Sequence, residues 1–92
     1  PLKVPNAFTP NGDGLNDVWL ITGLSKYPGT KVKVFNRWGS EILVDNNGYR
    51  VAWDGTSNGV PLPSGTYYYI LELKGSADST DKTISGALTI IR

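Results

Sequence analysis

The chain has 92 residues, nine Lys and Arg against eight Asp and Glu for a net charge of +1, and neither cysteine nor histidine. That length fits one small domain, and the near-balanced charge excludes both the basic face of a nucleic-acid binder and a polybasic membrane anchor. Without thiols or imidazoles there is no disulfide framework, no thiolate or imidazole zinc site and no Ser-His-Asp or Cys-His nucleophile, and no apolar run approaches the roughly 18 residues a spanning helix needs.

In chain order, Lys3 to Phe8 is short and weakly extended. The stretch FTPNGDGLND, Phe8 to Asp17, then sets Asn11, Asp13 and Asp17 at i, i+2 and i+6, with the Leu15 carbonyl at i+4 and the Asn16 side chain beside it. Such alternation lets oxygens converge on one cation, as in the first half of an EF-hand loop, so Asn11, Asp13, Leu15, Asn16 and Asp17 are candidate Ca2+ ligands. Two departures weaken the match: Asn16 stands where that loop has Gly, and Thr22 where it has a bidentate Glu. Affinity is therefore expected at about 10⁻⁴–10⁻³ M, as in extracellular modules. The alternative is a pair of Asx-turns, with side-chain oxygens on downstream N–H groups and Gly12 and Gly14 left-handed. As a catalytic pair, Asp13 and Asp17 lack the apolar pocket that raises one carboxyl's pKa.

Beyond the loop the chain reads as short β-type runs between Gly, Pro and Asn/Asp breakers. Val18 to Thr22 is apolar and β-prone. Lys31 to Asn36 puts Val32 and Val34 on one face, against Lys31, Lys33 and Phe35. Glu41 to Val44 is a short apolar run, and Tyr49 to Trp53 sets Tyr49, Val51 and Trp53 on one side. Asp54-Gly55 and Asn58-Gly59 are turn dipeptides, and Pro61 and Pro63 make a rigid approach to Gly65. Thr66 to Lys74 is the longest run, with Tyr67, Tyr69, Leu71 and Leu73 on one face. Ser76 to Thr83 reads as a polar hairpin tip, and Ile84 to Arg92 sets Leu88 and Ile90 against Ala87, Thr89 and Ile91. About seven short strands and no sustained helical period predict an all-β fold, a two-sheet Ig-like β-sandwich of antiparallel strands over residues 1–92. The start at Pro1 on an extended segment suggests a piece of a longer protein.

Trp19, Trp38, Trp53 and Tyr67 to Tyr69 carry most of the aromatic content. Core and cross-strand packing is the plain expectation for each. A sugar-stacking platform requires two or three rings facing solvent on one sheet, and Tyr68 is the residue whose alternation points it outward.

Four pieces occur in order: FTPNGDGLNDVW, VKVFNRWG, WDG ten residues before GTYYYI, and GALTIIR. Together they resemble the type B C-terminal sorting domain of the Bacteroidetes type IX secretion system, also called the gliding-motility-associated C-terminal domain. The resemblance spans Val4 to Arg92. It implies a modular tail that folds in the periplasm and directs a large cargo across the outer membrane to the cell surface or medium. The partner it implies is type IX machinery, in particular an outer-membrane protein of the PorP type. The carry-over lands on Asn11 to Gly14, Asn16 and Asp17, on Arg37, Trp38 and Gly39, on Trp53, Asp54 and Gly55, on Gly65, Thr66 and Tyr67, and on Gly86 to Arg92.

Expected recognition residues are accordingly Arg37, Trp38, Gly39, Trp53, Asp54, Gly65, Tyr67, Ile90, Ile91 and Arg92. Arg37 beside Trp38 offers a planar cation and an aromatic, a pairing common at binding hot spots. The structural alternative stacks Arg37 on Trp38 or Tyr69 and pairs it with Asp54. Asp54 reads more simply as a turn former. The final strand either is read by β-augmentation or completes the sandwich, and completion is preferred. Two other functions compete with sorting: a calcium-dependent carbohydrate-binding or adhesion module, and a structural Ig-like spacer. An enzyme is not expected, because the chain lacks the usual acid–base and nucleophile sets and any phosphate-binding loop.

Overall fold

The structure, a computed structural model, describes residues 2–12, 14, 17–75 and 81–92. The described residues form seven strands: β1 Ala7–Phe8, β2 Lys31–Phe35, β3 Glu41–Asp45, β4 Thr56–Ser57, β5 Val60–Pro61, β6 Gly65–Leu73 and β7 Lys82–Ile90. Among the described residues a single 3-10 turn, Leu24–Lys26, lies between β1 and β2. The fold is all-β and mostly antiparallel. Five strands make one sheet in the order β1-β7-β6-β2-β3, and β4 and β5 make a separate hairpin. One pairing departs from the antiparallel expectation: β1 runs parallel to β7, with Ala7 opposite Thr89 and Phe8 opposite Ile90.

Period-two patterning sets the sheet's two faces. Val32 and Val34 on β2, Tyr67, Tyr69, Leu71 and Leu73 on β6, and Leu88 and Ile90 on β7 all turn inward and are buried. The register agrees: Val32 pairs with Leu71, Val34 with Tyr69, and Tyr67 with Leu88. Gly86 lies opposite Tyr69 because a Cβ there would meet the Tyr69 hydroxyl at 2.6 Å and its ring at 2.9 Å. The outward face carries Lys33, Phe35, Tyr68, Ile70, Ser85 and Ala87, and no second sheet of described strands covers it.

The inner face is covered by chain that is mostly not strand. Phe8, Trp19, Ile21, Tyr49 and Trp53 close the core there. Val18 to Thr22 and Tyr49 to Trp53, both expected as strands, form no ladder; they meet in one bridge, Trp19 to Trp53, and Thr22 makes a second with Lys3. The reason is local. Tyr49 sits at φ 55, a left-handed conformation that a bulky side chain rarely adopts, and this breaks the alternation. Val51, expected on the side of Tyr49 and Trp53, is 81% exposed. The described residues thus form one five-stranded sheet, a small hairpin and an irregular cover, where a closed two-sheet sandwich was expected.

Side-chain polar groups do the work a ladder would have done. The Trp19 N–H donates to the Trp53 carbonyl at 2.8 Å. The reciprocal bond is replaced by the Tyr49 hydroxyl, which donates to the Trp19 carbonyl at 2.6 Å and accepts the Trp53 N–H at 2.8 Å. The two buried indoles find carbonyls as well, Trp19 Nε1 on Pro5 and Trp53 Nε1 on Thr56, both at 2.8 Å.

Removing the hydroxyl strands a buried carbonyl and a buried N–H, so Tyr49→Phe should lose about 1–3 kcal/mol of stability in chemical denaturation. Burial, the largest cause, pushes the Tyr49 pKa well above the ordinary tyrosine range. The folded chain then keeps this proton where the unfolded chain, titrating near pH 10, releases it. This contribution is complete below about pH 10 and falls as pH rises past it. Denaturation midpoints at pH 8 and pH 10.5 should differ less in Tyr49→Phe than in the parent chain.

Candidate recognition surface

The β2–β3 connection is a tight hairpin whose tip displays Arg37 and Trp38. Its frame comes from Asn36 and Gly39. The Asn36 carboxamide oxygen accepts the N–H groups of Trp38 and Ser40, each at 3.0 Å. The Gly39 N–H closes the turn on the Asn36 carbonyl at 3.0 Å, and the Asn36 N–H bonds the Ser40 carbonyl at 3.0 Å. Gly39 takes φ 82, the left-handed position that a three-residue hairpin loop requires. With Asn and Gly fixing the backbone, the two side chains between them are free to face water. Trp38 is 74% exposed, and the Arg37 guanidinium lies over its ring at 4.4 Å.

Two depressions flank this tip. One, about 370 Å³, runs between Arg37, Trp38 and Ile42 on one side and Leu62 to Tyr67 on the other. The second, about 560 Å³ and shallower, lies on the outward sheet face among Phe35, Arg37, Tyr68, Ile70, Ser85 and Ala87. Gly65, at φ 156 with open space around it, belongs to the wall of the first.

That wall is held by the end of the chain. The Arg92 guanidinium donates Nη2 to the Gly55 carbonyl at 2.9 Å, Nη1 to the Pro10 carbonyl at 3.1 Å, and Nε to the Leu62 carbonyl. Its backbone N–H reaches Ser64 Oγ at 2.9 Å. Tyr67 adds a bond from its hydroxyl to the Pro63 carbonyl at 2.8 Å. Burial raises the Tyr67 pKa, and the nearby Arg92 charge pulls the other way.

The expected recognition residues therefore separate by place. Arg37, Trp38, Gly39 and Gly65 lie together at the tip and its cleft. Trp53, Tyr67 and Ile90 are buried and reach a partner only through the shape they support. Asp54 forms an Asx turn, its Oδ1 accepting the Thr56 N–H at 3.2 Å and hydroxyl at 2.7 Å, rather than pairing with Arg37. Ile91 is half exposed beside the Arg92 clamp. Strand β7 lies between β1 and β6, completing the sheet instead of offering an edge. Asn36, Leu62 and Ser64 are not among the residues expected from the sequence, where Pro63 is read only as a rigid approach to Gly65; the N-x-x-G spacing of Asn36 to Gly39 is the signal for the first.

Of the candidate Ca2+ ligands, Asp13, Leu15 and Asn16 lie outside the described residues. The Asp17 carboxylate accepts the N–H groups of Asn11 at 3.1 Å, Gly12 at 2.9 Å and Gly14 at 2.8 Å. These bonds run back to upstream residues, whereas the Asx-turn expectation ran them downstream. Gly12 and Gly14 are left-handed, at φ 79 and 81.

Residues 2–90 match a family model described as the CHU_C type IX secretion signal domain. No curated protein matches the chain.

Two substitutions test how the tip and its wall are held. Gly39→Ala has open space but the wrong backbone hand, so it should lose about 1–2 kcal/mol in thermal melts. Arg92→Lys keeps the charge but not the fork that reaches three carbonyls, and should lose about 1–2 kcal/mol in urea titration.

Proposed function

The chain belongs to the CHU_C family of type IX secretion signal domains, and we propose that it is read through the folded surface around the Arg37–Trp38 tip. As a member of that family it is a non-catalytic C-terminal export signal for type IX cargo. What stands as our own reading is how the signal is presented and to whom. A signal without chemistry acts through shape and charge. The observation that carries the surface assignment is the contrast among the tryptophans: Trp19 and Trp53 are 0% and 6% exposed, while Trp38 is 74% exposed at a tip that Asn36 and Gly39 hold rigid. Arg and Trp together supply the contact types that dominate protein interfaces. The five-stranded sheet and its loop-built cover support an Ig-like sandwich with a reduced second layer. The partner we propose is an outer-membrane protein of the PorP type, with delivery to the cell surface or the medium.

A sugar-binding module is less well supported. It requires coplanar solvent-facing rings, and one face of Trp38 is already occupied by Arg37.

The test is a graft. Residues 1–92 fused to the C-terminus of a periplasmic reporter should bring that reporter to the outside of a type IX-competent cell, measured by fractionation. Retention in the periplasm would overturn the reading. Trp38→Ala, with its exposed side chain, should reduce export while leaving the melting midpoint within about 0.5 kcal/mol equivalent of the parent.

A further inference from the structure

We propose that the Arg37–Trp38 tip receives a protein loop that presents a carboxylate, Asp or Glu, beside an apolar side chain. The proposal rests on the secretion-signal reading for its biological setting and on the geometry of the tip for its chemistry.

Arg37 is a cation held ready. Its guanidinium is stacked on Trp38 at 4.4 Å, and among the described residues it makes no hydrogen bond or ion pair. A guanidinium held over an aromatic ring keeps N–H donors at its rim, the part that engages a carboxylate with two parallel bonds. Pre-positioning on the indole also lowers the entropy lost when those bonds form.

The surroundings select the sign of the ligand. Both depressions beside the tip include Arg37, and among the described residues no other charged side chain lines either of them. The nearest acid along the hairpin, Glu41, is turned to Lys33 at 3.9 Å. An incoming carboxylate thus meets an unopposed positive charge, while a basic group meets repulsion. The walls supply the second half of the match. Ile42 and Leu62 line one depression, and Phe35, Tyr68 and Ile70 the other, so an apolar side chain next to the carboxylate has a surface to cover. Covering it removes water from the ion pair and strengthens it.

The test uses the export reporter with Arg37→Glu, Arg37→Ala, Arg37→Lys and, as a charge-reversal control at the 3-10 turn, Lys26→Glu. Arg37→Glu should lower export by about tenfold or more, the range of a lost charge-assisted contact. Arg37→Ala should lower it less, Arg37→Lys least, and Lys26→Glu should match the parent. Melting curves confirm that each variant is folded. Equal export from Arg37→Glu and the parent would overturn the proposal, as would an equal loss in Lys26→Glu. Loss in Trp38→Ala without loss in Arg37→Glu would also overturn it, in favour of a neutral stacking ligand such as a sugar.

A second readout does not depend on export. The purified chain is titrated with the peptide acetyl-Gly-Phe-Asp-Gly-amide and with its Asn counterpart, and NMR shifts of the Trp38 indole N–H are followed. Larger shifts with the Asp peptide, abolished by Arg37→Glu, support the proposal; identical responses to both peptides overturn it. If the Asp peptide is discriminated but the parent graft is not exported, the secretion reading fails and the carboxylate assignment stands.

Discussion

The Tyr49 hydroxyl is the contact on which the architecture turns. An antiparallel pair normally exchanges two backbone hydrogen bonds between facing residues. Trp19 and Trp53 exchange one, and the phenol oxygen takes the place of the other by bonding both backbones at once. This wedge keeps the two segments from zipping into a second sheet, and among the described residues no buried side-chain polar atom is left unpaired. It also sets a cost. Tyr49 must hold a left-handed backbone, worth about 1–3 kcal/mol of strain, to bring its ring under Trp19 at 5.9 Å. Packing of Trp19 against Tyr49 and Tyr69 offsets this, in the tilted and edge-on geometries that aromatic pairs prefer.

From that constraint follows a division of labour. One layer is a regular sheet whose hydrogen bonds are its own. The other is irregular chain whose backbone groups, like those of the β2–β3 turn held by Asn36, depend on particular side chains: Tyr49, Asp17, Asp54 and Arg92. Loops built this way are positioned nearly as firmly as strands, yet their tips are free to carry residues with no packing duty. Arg37 and Trp38 occupy such a tip, and Arg92, 30 residues beyond Leu62 in the opposite wall of their cleft, ties that wall to Pro10, 82 residues before it.

Much of the sheet was legible in the sequence. The strict alternation of Val32 and Val34, of Tyr67 through Leu73, and of Leu88 and Ile90 named the buried faces correctly. Asn58-Gly59 was a readable turn, with both residues left-handed between β4 and β5. The cover was not legible, for physical reasons. Tyr49, Val51 and Trp53 show the spacing of a strand, but one left-handed tyrosine removes that periodicity, and no local rule announces a left-handed tyrosine. The parallel pairing of β1 with β7 joins residues about 80 apart, beyond any local pattern. At the tip, the neighbouring letters of Arg37 and Trp38 suggested their stacking. The Arg92 clamp was hidden because its three acceptors are backbone carbonyls, which every residue has.

The order of the sheet carries a meaning of its own. Strand β7 is internal, with β1, the earliest of the described strands, on one flank and β6 on the other. A polypeptide broken off before Lys82 would leave β1 with no neighbour and β6 bare along one side. The five-stranded sheet is therefore complete only once Lys82–Ile90 has been made and seated between its two neighbours. A product cut short of that segment holds an unfinished sheet, so the strand order ties the folded surface to the presence of β7.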